Sequence, residues 1–295
     1  MSKLILGTVQ LGSDYGINNK SGQPKQEEAF QILDYAYKNG INTLDTASAY
    51  GDSENIIGEY MNESGNEFEI ATKLQPLNNV NFDENVIETQ LDDSLKRLGK
   101  KYIDLYLIHD FKDIINNENL IDKLNNLKSK GKIKKIGISL YEPAELEFIL
   151  ENSLAIDAVQ IPFNMFDSRW TKNNLLKNVK KENIAIYARS IFLQGLFFLE
   201  DEDKMNEIHE SLKGYIDFIR KMAKSKNVAI SQLAIDYVKS FDEIDGILNG
   251  CETLNQLQEN ICQFNKENCL TEKDKGEILE IVEDIPSKII DPRIW

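Results

Sequence analysis

The sequence predicts an α/β protein, a single (β/α)8 TIM barrel in which eight parallel strands close into one sheet. Three observations support this prediction. Short apolar segments alternate with helical patterns from one end of the chain to the other. The segments are apolar on both faces, as strands buried beneath helices are. No linker or internal repeat divides the 295 residues, so we expect one domain over 1–295, with a C-terminal helix and tail over 271–295.

Eight segments are predicted as strands. They cover residues 4–9, 43–47, 68–73, 103–109, 134–140, 158–163, 185–190 and 246–250. Helical periodicity is clearest over 83–98 and 208–223, and a last helix is expected over 271–283. Gly40 and Gly131 are predicted to end helices, because glycine takes the left-handed conformation found there. The order of segments alone leaves an open, doubly wound sheet as the alternative architecture.

The charge of the chain restricts its partners. Lys and Arg number 34 against 49 Asp and Glu, which gives a formal net charge of -15 and a pI of about 4.7. This balance repels phosphate backbones and anionic lipid, so we expect neither a nucleic-acid nor a membrane partner. The acidic run 200–203 is expected in a solvated loop after the seventh strand. Cys251, Cys262 and Cys269 form no CxxC motif, and with no apparent leader they predict reduced thiols in the cytoplasm.

Several motifs are absent from the sequence. It contains no Walker A motif and no GxGxxG after a strand, which argues against a P-loop or a Rossmann domain. No HExxH motif or Cys/His spacing indicates a metal site. Of the two histidines, His209 lies in a charged segment at a helix start and is expected to be solvated. His109 closes a predicted strand, which is a better position for chemistry.

Asp45, Tyr50, Lys73 and His109 follow or end three successive predicted strands. The active site of a (β/α)8 barrel lies at the C-terminal ends of its strands, so these four side chains are candidates for catalysis. Taken singly, each has an ordinary structural interpretation: a turn cap, a loop residue, a surface lysine and a core histidine. Asp52 or Ser53 is interpreted as the N-cap of the next helix.

Together the four side chains suit proton donation to a carbonyl group. A tyrosine hydroxyl ordinarily titrates near pH ~10, too high for efficient proton donation at neutral pH. A neighbouring ammonium favours the phenolate, and a carboxylate holds that ammonium in place. An imidazole can orient the substrate oxygen through a hydrogen bond. Reduction of the carbonyl group would also require a hydride, which none of these four side chains supplies.

The sequence resembles the aldo-keto reductases over nearly its whole length. The similarity is carried by residues 6–8 (LGT), 44–47 (LDTA), 50–54 (YGDSE), 71–73 (ATK), 107–109 (LIH) and 256–260 (QLQEN). The resemblance implies a barrel that binds NADP or NAD in extended form and reduces an aldehyde or ketone. It assigns proton donation to Tyr50, tuning of that proton to Lys73 and Asp45, and orientation of the carbonyl to His109. A nucleotide-binding regulatory protein with little turnover and a cofactor-free lyase or isomerase are the alternatives.

The resemblance also implies a set of cofactor contacts. They are Asp45, Ser139, Gln160, Arg189, Ser190, Gly250, Glu252, Gln256 and Asn260, with Glu259 near the adenine end. Arg189 stands where relatives place an aromatic ring; its guanidinium is expected to stack on the nicotinamide or to pair with a nearby acid. Leu140 stands where relatives have an asparagine. Glu252 and Gln256 replace cations that bind the 2′-phosphate, so the preference for NADPH is expected to be weak or reversed.

Loops at the strand ends carry polar and aromatic residues that suit a polar, sugar-like carbonyl substrate. Asp14, Tyr15, Phe111, Asn164 and Gln194 are the predicted substrate contacts, with Gln10, Phe163, Arg169 and Phe192 beside them. Residues 189–190 and 194–196 and the ending DPRIW also resemble a bacterial subgroup found in surface-polysaccharide gene neighbourhoods. The expected partner is a small molecule, and the sequence makes no prediction of oligomeric state.

Overall fold

Eight parallel strands close into a barrel in a computed structural model of the protein, which describes residues 2–19, 21–77 and 84–295. The strands are β1 Lys3–Gly7, β2 Thr43–Asp45, β3 Glu69–Leu74, β4 Ile103–Ile108, β5 Ile133–Ser139, β6 Ala158–Pro162, β7 Ala185–Arg189 and β8 Gly246–Gly250. Each strand pairs with the next along the chain, and β8 pairs with β1 in register from Lys3↔Gly246 to Gly7↔Gly250. This closure confirms the (β/α)8 barrel and excludes the open sheet.

Helices surround the barrel. Within the described residues they are α1 Val9–Gly12, α2 Gln26–Lys38, α3 Ser53–Ser64, α4 Glu84–Leu98, α5 Lys112–Asn116, α6 Leu120–Ser129, α7 Pro143–Glu151, α8 Leu175–Lys181, α9 Glu202–Ile208, α10 Leu212–Lys226, α11 Ile230–Lys239, α12 Leu254–Phe264, α13 Glu272–Ile281 and α14 Ser287–Ile290. Short 3₁₀ segments cover Arg169–Asn174, Leu193–Phe198 and Pro292–Ile294. No helix in the described part of the chain is long and apolar enough to cross a membrane.

Most predicted elements are present with small shifts at their ends. Gly40 and Gly131 follow α2 and α6 with φ of 81° and 76°, as expected. The helix predicted over 83–98 is α4, and Asp83 itself lies outside the described residues. The last predicted helix, over 271–283, is the shorter α13.

Three predictions near residue 205 differ from the structure. The helix predicted over 208–223 is interrupted, because His209 is extended and its Nδ1 lies 2.9 Å from the Oγ of Ser211, just before α10. His209 is therefore half-buried between two helices rather than solvated at a helix start. The acidic run 200–203 is exposed but not wholly a loop, since Asp201 caps α9 by accepting hydrogen bonds from the amides of Asp203 and Lys204.

Side chains alternate along each strand between the barrel interior and the helix layer. In β4, Leu105 and Leu107 belong to the inner cluster, whereas Tyr106 and Ile108 belong to the larger core under the helices. The inner cluster is Ile5, Ala71, Leu105, Leu107, Ala158, Tyr187 and Leu248. Four residues of this cluster are followed, two positions later and on the same face of their strands, by polar side chains. These are Lys73, His109, Gln160 and Arg189. The barrel therefore presents polar groups as its uppermost inward layer.

The turn that carries Tyr50 rests directly on the end of α1. A Cβ built on Gly12 would lie 1.8 Å from the carbonyl oxygen of Tyr50. Gly51 has a φ of 52°, and a Cβ there would lie 2.1 Å from the carbonyl oxygen of Gly12. Both positions thus require glycine, because the two backbones touch where the candidate proton donor is placed.

We expect Gly12→Ala to lower the free energy of unfolding by about 1–3 kcal/mol, since the added methyl group must push the Tyr50 turn aside. Urea denaturation measures this change. Gly214→Ala is the matched control, because Gly214 lies in the first turn of α10 and a Cβ built there meets no neighbouring atom within 4 Å. The control is expected to be neutral or stabilising. Equal stability of Gly12→Ala and the native protein would contradict the close contact.

Candidate active site

Lys73 and Asp45 form a buried ion pair at the top of the barrel. The Nζ of Lys73 lies 2.7 Å from Oδ2 of Asp45 and donates a second hydrogen bond to the carbonyl oxygen of Thr46 at 2.8 Å. The two side chains are only 1% and 6% exposed. Burial by itself would lower the pKa of Lys73, but Asp45 and the neighbouring Tyr50 stabilise the ammonium, and the net shift of its pKa is upward. The lysine is therefore a fixed cation.

Tyr50 and His109 flank this cation. The Nζ of Lys73 lies 4.9 Å from the centroid of the Tyr50 ring. The ring of His109 stands edge-on to Tyr50, with centroids 6.3 Å apart and planes at 84°. The structure thus brings together all four side chains that the sequence singled out.

His109 is held neutral. Burial lowers its pKa to about 4, the positive charges of Lys73 and Arg189 act in the same direction, and Asp110 opposes them. Its Nδ1 is buried and has no hydrogen-bond partner among the described residues. A neutral imidazole with a vacant nitrogen can bond a ligand without bringing a second positive charge to Lys73.

One cavity of about 400 Å³ opens over these residues. It is lined by the four candidate catalytic residues and by all nine predicted cofactor contacts, including Ser139, Ser190, Gly250 and Asn260. Of the predicted substrate contacts, it includes Tyr15 and Gln194. Burial raises the pKa of Tyr15 to about 12 against the opposing charge of Arg189, so its hydroxyl stays protonated.

Three predicted substrate contacts, Asp14, Phe111 and Asn164, lie outside the lining of this cavity. Asn164 is fully buried; its amide donates to the carbonyl oxygen of Ser190 and accepts from the backbone of Phe166, so it shapes a loop instead. Phe111 packs edge-on against Phe148. Asp14 is exposed outside the cavity lining. Phe163 and Arg169 also lie outside the lining.

Several buried polar atoms that line the cavity lack partners in the described structure. They are Gln10 Oε1, His109 Nδ1, Gln160 Oε1 and Asn249 Nδ2. Gln160 illustrates the pattern, because its Nε2 donates to Oδ1 of Asp45 at 2.7 Å while its oxygen is vacant. Buried polar groups in proteins are normally paired, so such atoms indicate where a polar ligand binds. Donors and acceptors are both present, as a carboxamide requires.

Arg189 is not paired with an acid, which was one of the two arrangements expected from the sequence; stacking on a nicotinamide stays a prediction. Its guanidinium carbon lies 4.2 Å from the centroid of the Tyr141 ring, and Nη2 donates to the carbonyl oxygen of Leu140 at 3.0 Å. No acid among the described residues pairs with it. The ring that it stacks on belongs to the protein itself, and Tyr141 lines the cavity as well.

The residues after β8 form an acidic side of the cavity. The backbone amide of Glu252 donates to Oε1 of Gln256 at 2.7 Å, and both side chains line the cavity beside Glu259. Burial raises the pKa of Glu252, a hydrogen bond from Gln256 opposes this, and the charge of Asp14 adds to the rise. Lys73 and Arg189 are the only Lys or Arg residues among the described ones that line this cavity.

The sequence reasoning missed the network that fixes the start of α3. Asp52 occupies the N-cap position without a side-chain capping bond, whereas Ser53 donates to the carbonyl oxygen of Thr8 at 2.9 Å. Glu54, fully buried, pairs with Arg97 at 2.7 Å and accepts a hydrogen bond from Thr72. A buried glutamate after a cap-like serine resembles an ordinary helix start, so the sequence held no signal for this ion pair.

The comparisons with known proteins agree with this geometry. The model of the aldo/keto reductase family matches residues 3–283. This chain belongs to the aldo/keto reductase family. It is an NAD(P)-dependent oxidoreductase, as its relatives are, and the family resemblance inferred from sequence is confirmed.

Individual relatives of this aldo-keto reductase are distant. It is 27% identical to the uncharacterized oxidoreductase YqkF of Bacillus subtilis over 94% of this chain and 95% of that protein. It is 26% identical to the D-arabinose 1-dehydrogenase of Saccharomyces cerevisiae, over 81% and 76% respectively. The holo form of aldo-keto reductase AKR11C1 from Bacillus halodurans superposes with a TM-score of 0.74 at 21% identity, over 95% and 91%, which shows the shared fold.

We expect His109 to remain unprotonated from pH 8 down to about pH 4. NMR titration of the imidazole C–H resonances measures this directly, and a His209→Gln variant assigns the two signals.

Because the unfolded chain binds a proton near pH 6.5 and the folded chain only near pH 4, acidification through this window lowers the free energy of unfolding. This loss is at most about 3 kcal/mol and should be absent in His109→Gln. A His109 resonance that titrates near pH 6.5 would refute the shift.

Proposed function

We propose that this aldo-keto reductase reduces the carbonyl group of a small polar molecule to an alcohol, with Tyr50 as the proton donor. The observation that carries the proposal is the Lys73–Asp45 ion pair, buried beside Tyr50 and a neutral His109 at the floor of one polar cavity. Each of the four groups has a task in proton donation to a carbonyl. The small, partly polar cavity favours a substrate that forms hydrogen bonds.

The proton path runs through this chain's own residues. Tyr50 donates its hydroxyl proton to the carbonyl oxygen as that oxygen gains negative charge. The Lys73 ammonium, fixed by Asp45 and Thr46, stabilises the resulting phenolate by its charge. His109 bonds the same oxygen and aligns it with the Tyr50 hydroxyl. Such an arrangement favours the transition state because the oxygen is more negative there than in the substrate.

The cavity fits a nicotinamide dinucleotide, which supplies the hydride when bound. We propose that Ser139 and Gln160 hold its carboxamide, because both line the cavity and Gln160 carries a buried oxygen without a hydrogen-bond partner in the described structure. Asp45, Arg189 and Ser190, which line the same cavity, would border the nicotinamide. Gly250, Glu252, Gln256 and Asn260 would contact the adenosine side, close to the start of α12.

A sugar derivative is the proposed kind of substrate. Tyr15, Tyr141 and Phe192 give the cavity aromatic walls, and Gln10 and Gln194 add amide groups. Aromatic faces with interspersed hydrogen-bonding groups suit a polyhydroxylated molecule better than a long alkyl chain.

We expect Tyr50→Phe to slow carbonyl reduction by roughly 100-fold or more, because the general acid is removed while the cavity keeps its shape. Steady-state reduction of a reactive aromatic aldehyde gives the rate, and fluorescence titration with reduced cofactor should show nearly unchanged affinity. Tyr15→Phe is the control, since it removes a neighbouring hydroxyl from the same cavity. Near-native turnover by Tyr50→Phe would exclude Tyr50 as the donor.

A nucleotide-binding protein with negligible turnover is the competing function. Stopped-flow mixing of the cofactor-loaded protein with the aldehyde separates the two, because an enzyme oxidises its bound reduced cofactor in a single turnover. The intact tetrad favours the enzyme. Persistence of the reduced cofactor in the native protein would support the alternative.

We further propose that the preference for NADPH over NADH is weak or reversed. The side of the cavity after β8 carries Glu252 and Glu259, and no lysine or arginine that the structure describes lines the cavity there. A carboxylate near a 2′-phosphate costs about 1 kcal/mol at a partly exposed site, which corresponds to about fivefold in affinity. The same carboxylate can accept hydrogen bonds from the ribose hydroxyls of NADH.

We expect Glu252→Lys to raise the affinity for NADPH relative to NADH by about tenfold or more. Fluorescence titration of both cofactors measures the ratio. Glu267→Lys makes the same change in net charge at an exposed position outside the cavity lining and should leave the ratio unchanged. Strong selectivity for NADPH in the native protein, unaltered by Glu252→Lys, would show that this carboxylate does not face the phosphate.

A further inference from the structure

Three arginines from distant parts of the chain meet at the loop after β5. The guanidinium carbons of Arg189 and Arg293 lie 4.2 and 4.0 Å from the centroid of the Tyr141 ring. Arg169 donates from Nη2 to the carbonyl oxygen of the same tyrosine at 3.2 Å. Of the three, Arg189 is the one that lines the cavity.

The other two arginines are neutralised. Arg169 pairs with Asp167 at 2.8 Å and also with Glu142, and Arg293 pairs with Asp291 at 2.7 Å and with Glu142 at 3.5 Å. These neighbouring carboxylates neutralise the charges of Arg169 and Arg293.

Arg189 has no such partner. Its polar contacts within the described chain are the carbonyl oxygen of Leu140 at 3.0 Å and the hydroxyl of Ser190 at 3.4 Å, both uncharged. The other cation of the cavity, Lys73, is already paired with Asp45. A half-buried guanidinium loses hydration without gaining an anion, and this cost is normally offset by a counter-charge. Among the described residues that line the cavity, Arg189 is therefore the cation without an ion-pair partner.

The position of the Arg189 charge indicates which anionic ligand could neutralise it. The guanidinium extends from the end of β7 to the backbone just after β5, away from the residues after β8 that border the proposed adenosine side. Arg189 lines the same cavity as His109 and Tyr15, and its positive charge acts to lower the pKa of both groups. A dinucleotide phosphate on the side of β8 is poorly placed to neutralise it.

We propose that Arg189 binds a carboxylate carried by the carbonyl substrate, so that the preferred substrates are oxo acids rather than neutral aldehydes or ketones. This inference rests on the proposed function and narrows its substrate class. A planar guanidinium pairs with a carboxylate through two parallel hydrogen bonds, and stacking on Tyr141 limits its rotation. The aromatic ring thus orients the cation while leaving its charge available.

Ligand binding tests the site without turnover. Benzoate and benzamide have the same shape and differ in charge, and their binding to the protein loaded with reduced cofactor is followed by cofactor fluorescence. We expect the native protein to favour benzoate by about tenfold or more, Arg189→Gln to abolish this ratio, and Arg189→Lys to retain part of it. Arg293→Gln, which removes a neutralised arginine from the same tyrosine, should keep the ratio. A native protein without preference, or equal loss in Arg293→Gln, would overturn the assignment.

Turnover and cofactor affinity complete the test. The ratio of kcat/KM for 4-carboxybenzaldehyde over its neutral methyl ester should exceed tenfold and should collapse in Arg189→Gln. If neither aldehyde is reduced but benzoate binding still depends on Arg189, the proposed function fails and the carboxylate site stands. If Arg189→Gln weakens cofactor binding and leaves the benzoate-to-benzamide ratio intact, the cofactor supplies the anion and the proposal is wrong.

Discussion

The buried pair between Lys73 and Asp45 is the interaction on which the candidate site depends. It joins β3 to the end of β2, and Gln160 extends it to β6 through the second carboxylate oxygen. Removing water from two charges costs several kcal/mol per ion, which the pair recovers only through close geometry and further hydrogen bonds. Thr46 and Gln160 provide those bonds. Losing either member would leave an uncompensated charge in the barrel, so the site and the strand ends are stabilised together.

The barrel supplies the rigidity that this pair requires. Because side chains alternate along a strand, apolar residues such as Ala71 and Leu107 fix the inward face, and the next inward positions are Lys73 and His109. The same two-residue spacing, together with the end of each apolar segment, is visible in the sequence. This is why the fold and the meeting of the tetrad were predictable: they follow from local periodicity and from the place where each strand stops. The cofactor contacts were implied by the family resemblance alone, and they remain a proposal.

The rest of the site depends on contacts between residues far apart in the chain. Tyr141 is positioned by Arg189 and by Arg293, which are 48 and 152 residues away along the sequence. Asn164 looked like a substrate contact because it follows β6, but loops lack periodicity, and its side chain turned inward to satisfy loop backbone. At the break near His209, the imidazole Nδ1 likewise contacts both the hydroxyl and the backbone amide of Ser211, and no apolar pattern records these contacts. Local sequence determines which residues reach the strand ends, whereas tertiary contacts determine where loop side chains point.

The tertiary contacts around the strand ends also determine how charge is distributed within the cavity. The protein as a whole is strongly acidic, yet Arg189 leaves the side of the cavity near β5 positive, while Glu252 and Glu259 make the side after β8 negative. Net charge therefore describes long-range steering but not recognition inside the cavity, where separations are short and screening is weak. In the two proposals made above, the negative side disfavours an additional phosphate and the positive side favours an anionic substrate. The two preferences arise from different residues, so each can be altered without the other.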